Sequence, residues 1–395
     1  MKVLVCHPGT QHAGKLAAML QRQDLLGGFV TGFRVKPGSI LGKRLRLSGL
    51  RTLDASLSPS TRQVWSPELL AKAAQWAGWS GERLMRLRNG CFQRLVPKKA
   101  IASSDAVIGF DTASWILAKR TQELGKPFIL DRAAIHRSTR AAIRSLFKAA
   151  GLAGQATPSE QGEVQDDVES DEIARASRIV VASRFSERSL LDAGVAPERI
   201  EVIPYGVNSD WFVDAESRDA AGEKLVFLFV GHLTMDKGVG VLLDAWKRMG
   251  ATDAELWLAG SGDPAVVQSA MGMPGVRVLG KLGPDELRKA YQGASVFVFP
   301  TFCDGFGMVL LEAMSCGRPI IATPHCAAPE LVEDGAAGVI CPVGDAAAFA
   351  AAMADACANR SAWAKRAIAA REIAKKYSWE AYGKRWASLL REVVA

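Results

Sequence analysis

No apolar run in this 395-residue chain approaches the ~18 residues of a membrane span. The opening "MKVLVCHPGTQHAGK" has an apolar stretch broken by His7 and Pro8, too short for a signal peptide. The seven cysteines are odd in number and form no CxxC pair, so a reduced, cytoplasmic protein is expected rather than one built on disulfides. GxGxxG is missing, which argues against a dinucleotide-dependent dehydrogenase. No His, Cys or oxygen-ligand spacing suggests a metal site. The acidic run "EVQDDVESDE", 163–172, instead reads as a loop leading into the acidic first turn of a helix. An RNA-binding motif with interleaved aromatics is also absent, so no nucleic-acid partner is expected.

Acidic side chains are scarce near the start. Residues 1–100 hold 17 Lys/Arg and 4 Asp/Glu, a balance of +13 where the whole chain is +8. That third should face something anionic. Within it, residues 34–100 are basic with apolar residues interleaved. They read either as a solvated helical insertion or as a surface that lies on anionic lipid, giving peripheral contact with a membrane.

What is present is a repeating alternation. "KVLV", "DAVIGF", "KPFIL", "SRIVVAS" and "IEVIPYG" are short apolar runs separated by helical patterns. A second series starts near residue 224 with "KLVFLFVG", "AELWLAG", "VRVLG", "SVFVFPT", "PIIAT" and "AGVICP". Such runs indicate parallel sheets covered on both faces, and two series indicate two doubly wound α/β domains. Their junction is expected near residues 203–212. The Ala-rich stretch 346–358 reads as an exposed helix.

The stretch "DGFGMVLLEAMSCG", 304–317, poses a chemical question. Its second half is a buried helix pattern, yet Glu312 sits within it, and an unpaired buried carboxylate is costly. Gly305 and Gly307 let a ligand approach bare N–H groups at the helix start, where the dipole favours phosphate. Gly317 can close the helix and Pro319 prevents its extension. From farther in, Glu312 can accept hydrogen bonds from the two hydroxyls of a ribose. Asp304 at the mouth can reach hydroxyls beyond the phosphates. Sugar, diphosphate and ribose in that order make a nucleotide-sugar. A second cradle, "FVGHLTMDKG", 229–238, places Lys237 where it can neutralise a diphosphate. "LAGSGD", 258–263, is a further glycine loop, weak by itself.

These residues resemble the retaining glycosyltransferases of family 4, also called glycosyl transferases group 1, which have the GT-B fold. The likeness is carried by "VIPYGVN", "FLFVGHLTMDKGVGVLLDAW", "VFVFPTFCDGFGMVLLEAMSCGRPIIAT" and "PELVEDGAAGVICPVGD". With "DEIARASRIVVASRFSERSLLDAGV" and "YSWEAYGKRWASLL", it spans roughly 170–395; the N-terminal half matches loosely, through "HPGTQH" and "DRAAIH". The resemblance implies two Rossmann-like domains facing across a cleft: an acceptor domain over 1–205, with the basic insertion at about 34–100, and a nucleotide-sugar domain over 206–377. A last helix, 378–395, would cross back to the first.

It further implies Asp304, His136 and Lys237 as catalytic groups. Donor contacts would fall to Glu312, Gly305, Phe306, Gly307, Met308, His232, Gly231, Gly280 and Lys281. His7, Gly9, His12 and Asp131 would meet the acceptor or sugar. The activity so implied is transfer of a sugar, with retention, from a UDP- or GDP-linked donor to a glycan or lipid-linked acceptor in cell-surface polysaccharide or glycolipid synthesis. No cofactor or metal is expected. Two positions depart from the pattern: Asp304 stands where Glu is usual, and His232 where Arg is common. They keep open the alternative of a GT-B-fold protein that binds nucleotide or glycan with little turnover.

Overall fold

The computed structural model describes residues 1–9, 12–33, 57, 60–149, 163–208, 224–250 and 253–395. Among the described residues the first domain holds seven strands: β1 (Val3–His7), β2 (Leu26–Thr31), β3 (Thr61–Gln63), β4 (Ala106–Phe110), β5 (Phe128–Arg132), β6 (Arg178–Val181) and β7 (Ile200–Val202). The second holds six: β8 (Leu225–Val230), β9 (Ala254–Ala259), β10 (Val276–Gly280), β11 (Val296–Phe299), β12 (Ile320–Ala322) and β13 (Gly338–Ile340).

All strand pairs are parallel, in the orders β3-β2-β1-β4-β5-β6-β7 and β10-β9-β8-β11-β12-β13. Both are doubly wound sheets of the Rossmann kind. Their strand order reverses beside β1/β4 and β8/β11, where clefts open at the carboxyl ends of strands. The central strands are buried throughout, as in the "LVFLFV" of β8 and "AVIGF" of β4, because helices cover both faces.

Three expectations need correcting or completing. Residues 163–172 are no loop: the helix Glu163–Arg175 takes in the whole acidic run. Two of its acids, Glu169 and Glu172, are buried, and each is held by N–H donors. The Ala-rich helix Ala346–Ala358 is not exposed either; Phe349, Ala350, Ala352, Met353 and Ala356 are buried and it packs on the helix Val239–Met249. Within 34–100, residues 34–56, 58 and 59 lie outside the described residues. The remainder supplies the edge strand β3 as well as the helices Ser66–Trp76, Gly81–Leu95 and Lys98–Ala102.

The two domains touch closely. The last helix, Trp379–Val394, packs on Ala13–Arg22 of the first domain. Arg22 meets Glu380 at 3.1 Å, and a Cβ on Gly383 would stand 2.7 Å from Met19 Cβ. Phe147, on the first-domain helix Arg137–Ala149, lies 4.2 Å from the Phe302 ring of the second domain. The backbone N–H of Arg184 donates to Glu330 at 2.6 Å.

Candidate active site

Two loops meet at the switch point of the second domain. The first follows β8. It turns through Gly231 and exposed His232 to Lys237 and Gly238, then enters the helix Val239–Met249. Gly238 has φ +75°, and a Cβ there would fall 1.9 Å from the Pro300 carbonyl oxygen. Only glycine lets this loop lie so close to the end of β11. The Phe302 N–H, donating to the Asp236 carbonyl at 3.0 Å, ties the two loops together.

That contact delivers Lys237 to Asp304. The ammonium donates to Asp304 Oδ2 at 2.9 Å and to the Cys303 carbonyl at 3.2 Å. Burial pulls the Lys237 pKa down, but the Asp304 carboxylate outweighs it and the net shift is upward. Lys237 is therefore a fixed cation at the head of the helix Met308–Ser315. Asp304 is anchored in turn: its N–H donates to the His325 carbonyl at 2.9 Å, and its Oδ1 accepts from the Phe306 N–H at 3.2 Å. Gly307 caps the helix in the left-handed region, φ +81°.

Glu312, partway along this helix, is half-buried. Its carboxylate accepts a hydrogen bond from the Tyr291 hydroxyl at 3.0 Å. Burial pushes its pKa up, and the tyrosine draws it back in part. Met308 is the first helical residue, so Glu312 sits about 6 Å farther along the axis. Gly280 and Lys281 lie at the carboxyl end of the edge strand β10, with Lys281 exposed.

Gly305 faces the other domain. A Cβ on it would stand 1.9 Å from the Ala133 carbonyl oxygen, and its own carbonyl accepts from the Ser183 hydroxyl and, at 2.9 Å, from that of Ser186. The turn ahead of the anion-favouring helix end is therefore pressed against the first domain.

The first domain brings a different set to its own switch point. His7 ends β1, packed against Phe110 at 4.9 Å, and its Nδ1 accepts from the Gly9 N–H at 3.1 Å. His12 Nε2 and Asp131 Oδ2 are 2.8 Å apart, and the Tyr382 hydroxyl donates to the same oxygen at 3.3 Å. His12, Asp131 and the final helix thus form one buried network. His136 is not part of it. It sits just ahead of the helix Arg137–Ala149, with Nδ1 2.8 Å from Ser138 Oγ and Nε2 3.9 Å from Glu169. Burial lowers the His136 pKa; Glu169 pulls it up, and Arg132, Arg137 and Arg140 push it down again. Glu169 itself accepts from Arg132 at 2.7 Å and Arg140 at 2.6 Å. Burial works to raise its pKa, but these guanidiniums hold its carboxyl below the ordinary range.

Residue-by-residue reading missed several of these groups. Asp111, at the end of β4, is buried, which raises its pKa. One of its oxygens accepts from the Ala134 N–H at 3.0 Å, while the other has no partner among the described residues. Thr112 beside it adopts φ +61°, an uncommon conformation for a β-branched residue. Glu172 holds that turn, accepting from the Thr112 and Ser114 N–H groups at 2.8 and 2.6 Å. Burial pushes Glu172 up to about 8. Tyr205 lies between the domains, 4.4 Å from the His12 ring and 5.2 Å from that of Phe306. The only available signal was position: "GFDTAS" and "IPYG" both follow strands.

Residues 224–359 match the family described as glycosyl transferases group 1. Over 234 residues the chain is 32% identical to a D-inositol 3-phosphate glycosyltransferase of Geodermatophilus obscurus, covering 53% of this chain and 51% of the relative. The chain thus spans about half the length of the curated relatives it matches. Among solved structures, sucrose-phosphate synthase from Thermosynechococcus elongatus superimposes with a TM-score of 0.73 at 18% identity, covering 100% of this chain and 99% of that one. The Anabaena protein HepE in complex with UDP-glucose gives 0.66 at 17% identity, covering 99% and 100%. Such neighbours have the GT-B fold, and so has this protein. Within that fold, residues 224–359 are the part of the chain that matches the glycosyl transferases group 1 family.

Proposed function

We propose that this protein transfers a hexose, with retention, from a UDP- or GDP-sugar to a glycan or lipid-linked acceptor in cell-surface polysaccharide or glycolipid synthesis. The observation that carries the reading is the Lys237–Asp304 pair at the head of a helix that also bears Glu312. A diphosphate seated at that helix end meets the Lys237 ammonium and the backbone N–H groups of the 305–308 turn. These donors are in place before the reaction and stabilise the charge that grows on the leaving diphosphate. Glu312 takes the ribose hydroxyls in exchange for its bond with Tyr291. Asp304 turns its free acceptor capacity toward the sugar.

The acceptor hydroxyl attacks from the first-domain side, on the face the diphosphate leaves. It reaches the sugar past His7, Gly9 and the His12–Asp131 pair, and His136 serves beside the reacting centre. No metal is required where helix end and lysine carry the neutralisation. The reading includes peripheral contact with an anionic membrane from the cytoplasmic side, in keeping with the basic first third.

The experiment is turnover of UDP-, GDP- and ADP-linked sugars by purified protein with a panel of glycan and lipid acceptors, followed by the anomeric form of the product. An inverted linkage removes the retaining assignment. Nucleotide binding with no transfer or donor hydrolysis favours a binding protein of the same fold.

A further inference from the structure

Six of the ten exposed large apolar side chains among the described residues fall between residues 65 and 95. Five cluster on the helix Ser66–Trp76 and its flanks: Trp65, Leu69, Leu70, Trp76 and Trp79. Trp65, Leu69 and Trp76 are four and seven residues apart with Lys72 between them, which makes one stripe along a helix. Trp76 is 89% exposed and Leu69 63%. Only Pro67 and Ala71 of this helix are buried. A helix facing water turns its large apolar residues inward; this one turns them outward.

The surroundings are cationic. Residues 60–100 carry eight Lys/Arg and two acids, and Arg62, Lys72, Arg83, Arg86, Arg94, Lys98 and Lys99 are all exposed. An apolar contact with a soluble protein does not call for this excess of one sign. Tryptophan amid lysine and arginine is the chemistry of the headgroup layer: indoles settle at the boundary while the cations meet anionic lipid.

The location matters as well. Glu68 of the same helix is beside the β1 and β2 ends, its Oε1 3.6 Å from where a Gly32 Cβ would be. The neighbouring helix Gly81–Leu95 reaches the β4 end, where Asn89 donates to the Thr112 carbonyl at 2.8 Å. The patch therefore rims the first-domain side of the cleft.

We propose that residues 65–95 dock this protein on a bilayer surface rich in anionic lipid, with Trp65, Leu69, Trp76 and Trp79 entering the headgroup layer. This deepens the transferase reading by placing the acceptor side of the cleft at a membrane, and it rests on that reading for its purpose alone. The docking itself stands on the apolar stripe and its charge.

The test is co-sedimentation of the full chain with phosphatidylcholine vesicles with and without phosphatidylglycerol, at low and high salt. Binding is expected only with the anionic lipid and should fade as salt screens the charges. Trp76→Ala with Trp79→Ala should shrink the blue shift of tryptophan emission on vesicle addition, leaving the share of Trp65, and weaken binding. Arg83→Gln with Arg86→Gln should weaken binding about thirtyfold, at about 1 kcal/mol per charge near the surface. Circular dichroism melts check that both variants fold. A thermal shift with UDP or GDP reports on the transferase reading separately, so either can fail alone. Equal binding to neutral and anionic vesicles, no binding, or a dimer in light scattering that both variants disperse would each overturn the proposal.

Discussion

The two domains share one order over six strands and differ in how their switch points are built. In the second domain the site comes from two short loops and one helix, and Asp304 and Glu312 sit within a single run of sequence. In the first domain the corresponding corner is assembled from far apart. His12 meets Asp131 across 119 positions, and Asp131 meets Tyr382 across 251. A helix end that favours phosphate is a local device, so its parts must be close in sequence. Side chains that meet across distant segments carry no such constraint. A fold can thus repeat its backbone and still hold two sites of different legibility.

The largest expected effect breaks the second domain's half of this contrast. Glu312→Ala should weaken UDP or GDP binding about 100-fold or more, if two hydrogen bonds to a charged group contribute about 1.5–3 kcal/mol each. Titration calorimetry measures this directly. Because burial raises the Glu312 pKa, binding should also begin to weaken on acidification at a pH above the usual carboxylate range. Lys237→Met should lower kcat by about 10²–10³ with a smaller change in nucleotide affinity, since its charge matters most as the diphosphate leaves. His12→Ala supplies the opposing half: transfer should fall while nucleotide affinity holds. Equal losses of nucleotide affinity from His12→Ala and Glu312→Ala would erase the division of labour.

Next in size is the contact between the halves. Gly305→Ala puts a Cβ against the Ala133 carbonyl oxygen, and such overpacking costs about 1–3 kcal/mol. Small-angle scattering should show a larger radius of gyration. A separate effect concerns the first domain's own frame. Glu172 has a folded pKa near 8 against 4.5 as its ordinary value, so the unfolded chain gives up this proton first. Its contribution is fully present below pH 4.5 and is lost as pH rises toward 8. Relative to Glu172→Gln, the native protein's melting temperature should fall over that window; parallel profiles would refute the assignment.

How much could be read beforehand follows the same division. Most strands were legible because fully buried parallel strands are written as continuous apolar runs, as "LVFLFV" and "AVIGF" are; β2, whose run is broken by two glycines, and the short polar edge strand β3 were not read. That Asp304, Glu312 and Lys237 gather around one helix entrance was legible because glycine spacing marks where the backbone turns tightly. The acidic run at 163–172 misled, because charge density suggests solvent, whereas Glu169 and Glu172 are buried against partners on other elements. The Ala-rich helix misled for a related reason, as small side chains fit equally well in water or in a packed contact with the helix Val239–Met249.

Local chemistry by itself determined the alternation of strand and helix, the two-domain division and the glycine-framed helix entrance with its acid farther in. Each of these depends on neighbours a few residues away, and periodicity or backbone freedom records them. Tertiary structure alone decided that Lys237 is held by Asp304, that Glu312 is met by Tyr291, that Gly305 lies against Ala133, and that a row of tryptophans is left facing outward. Those outcomes depend on which distant segments come within a few ångströms, and a single chain of letters does not encode that distance.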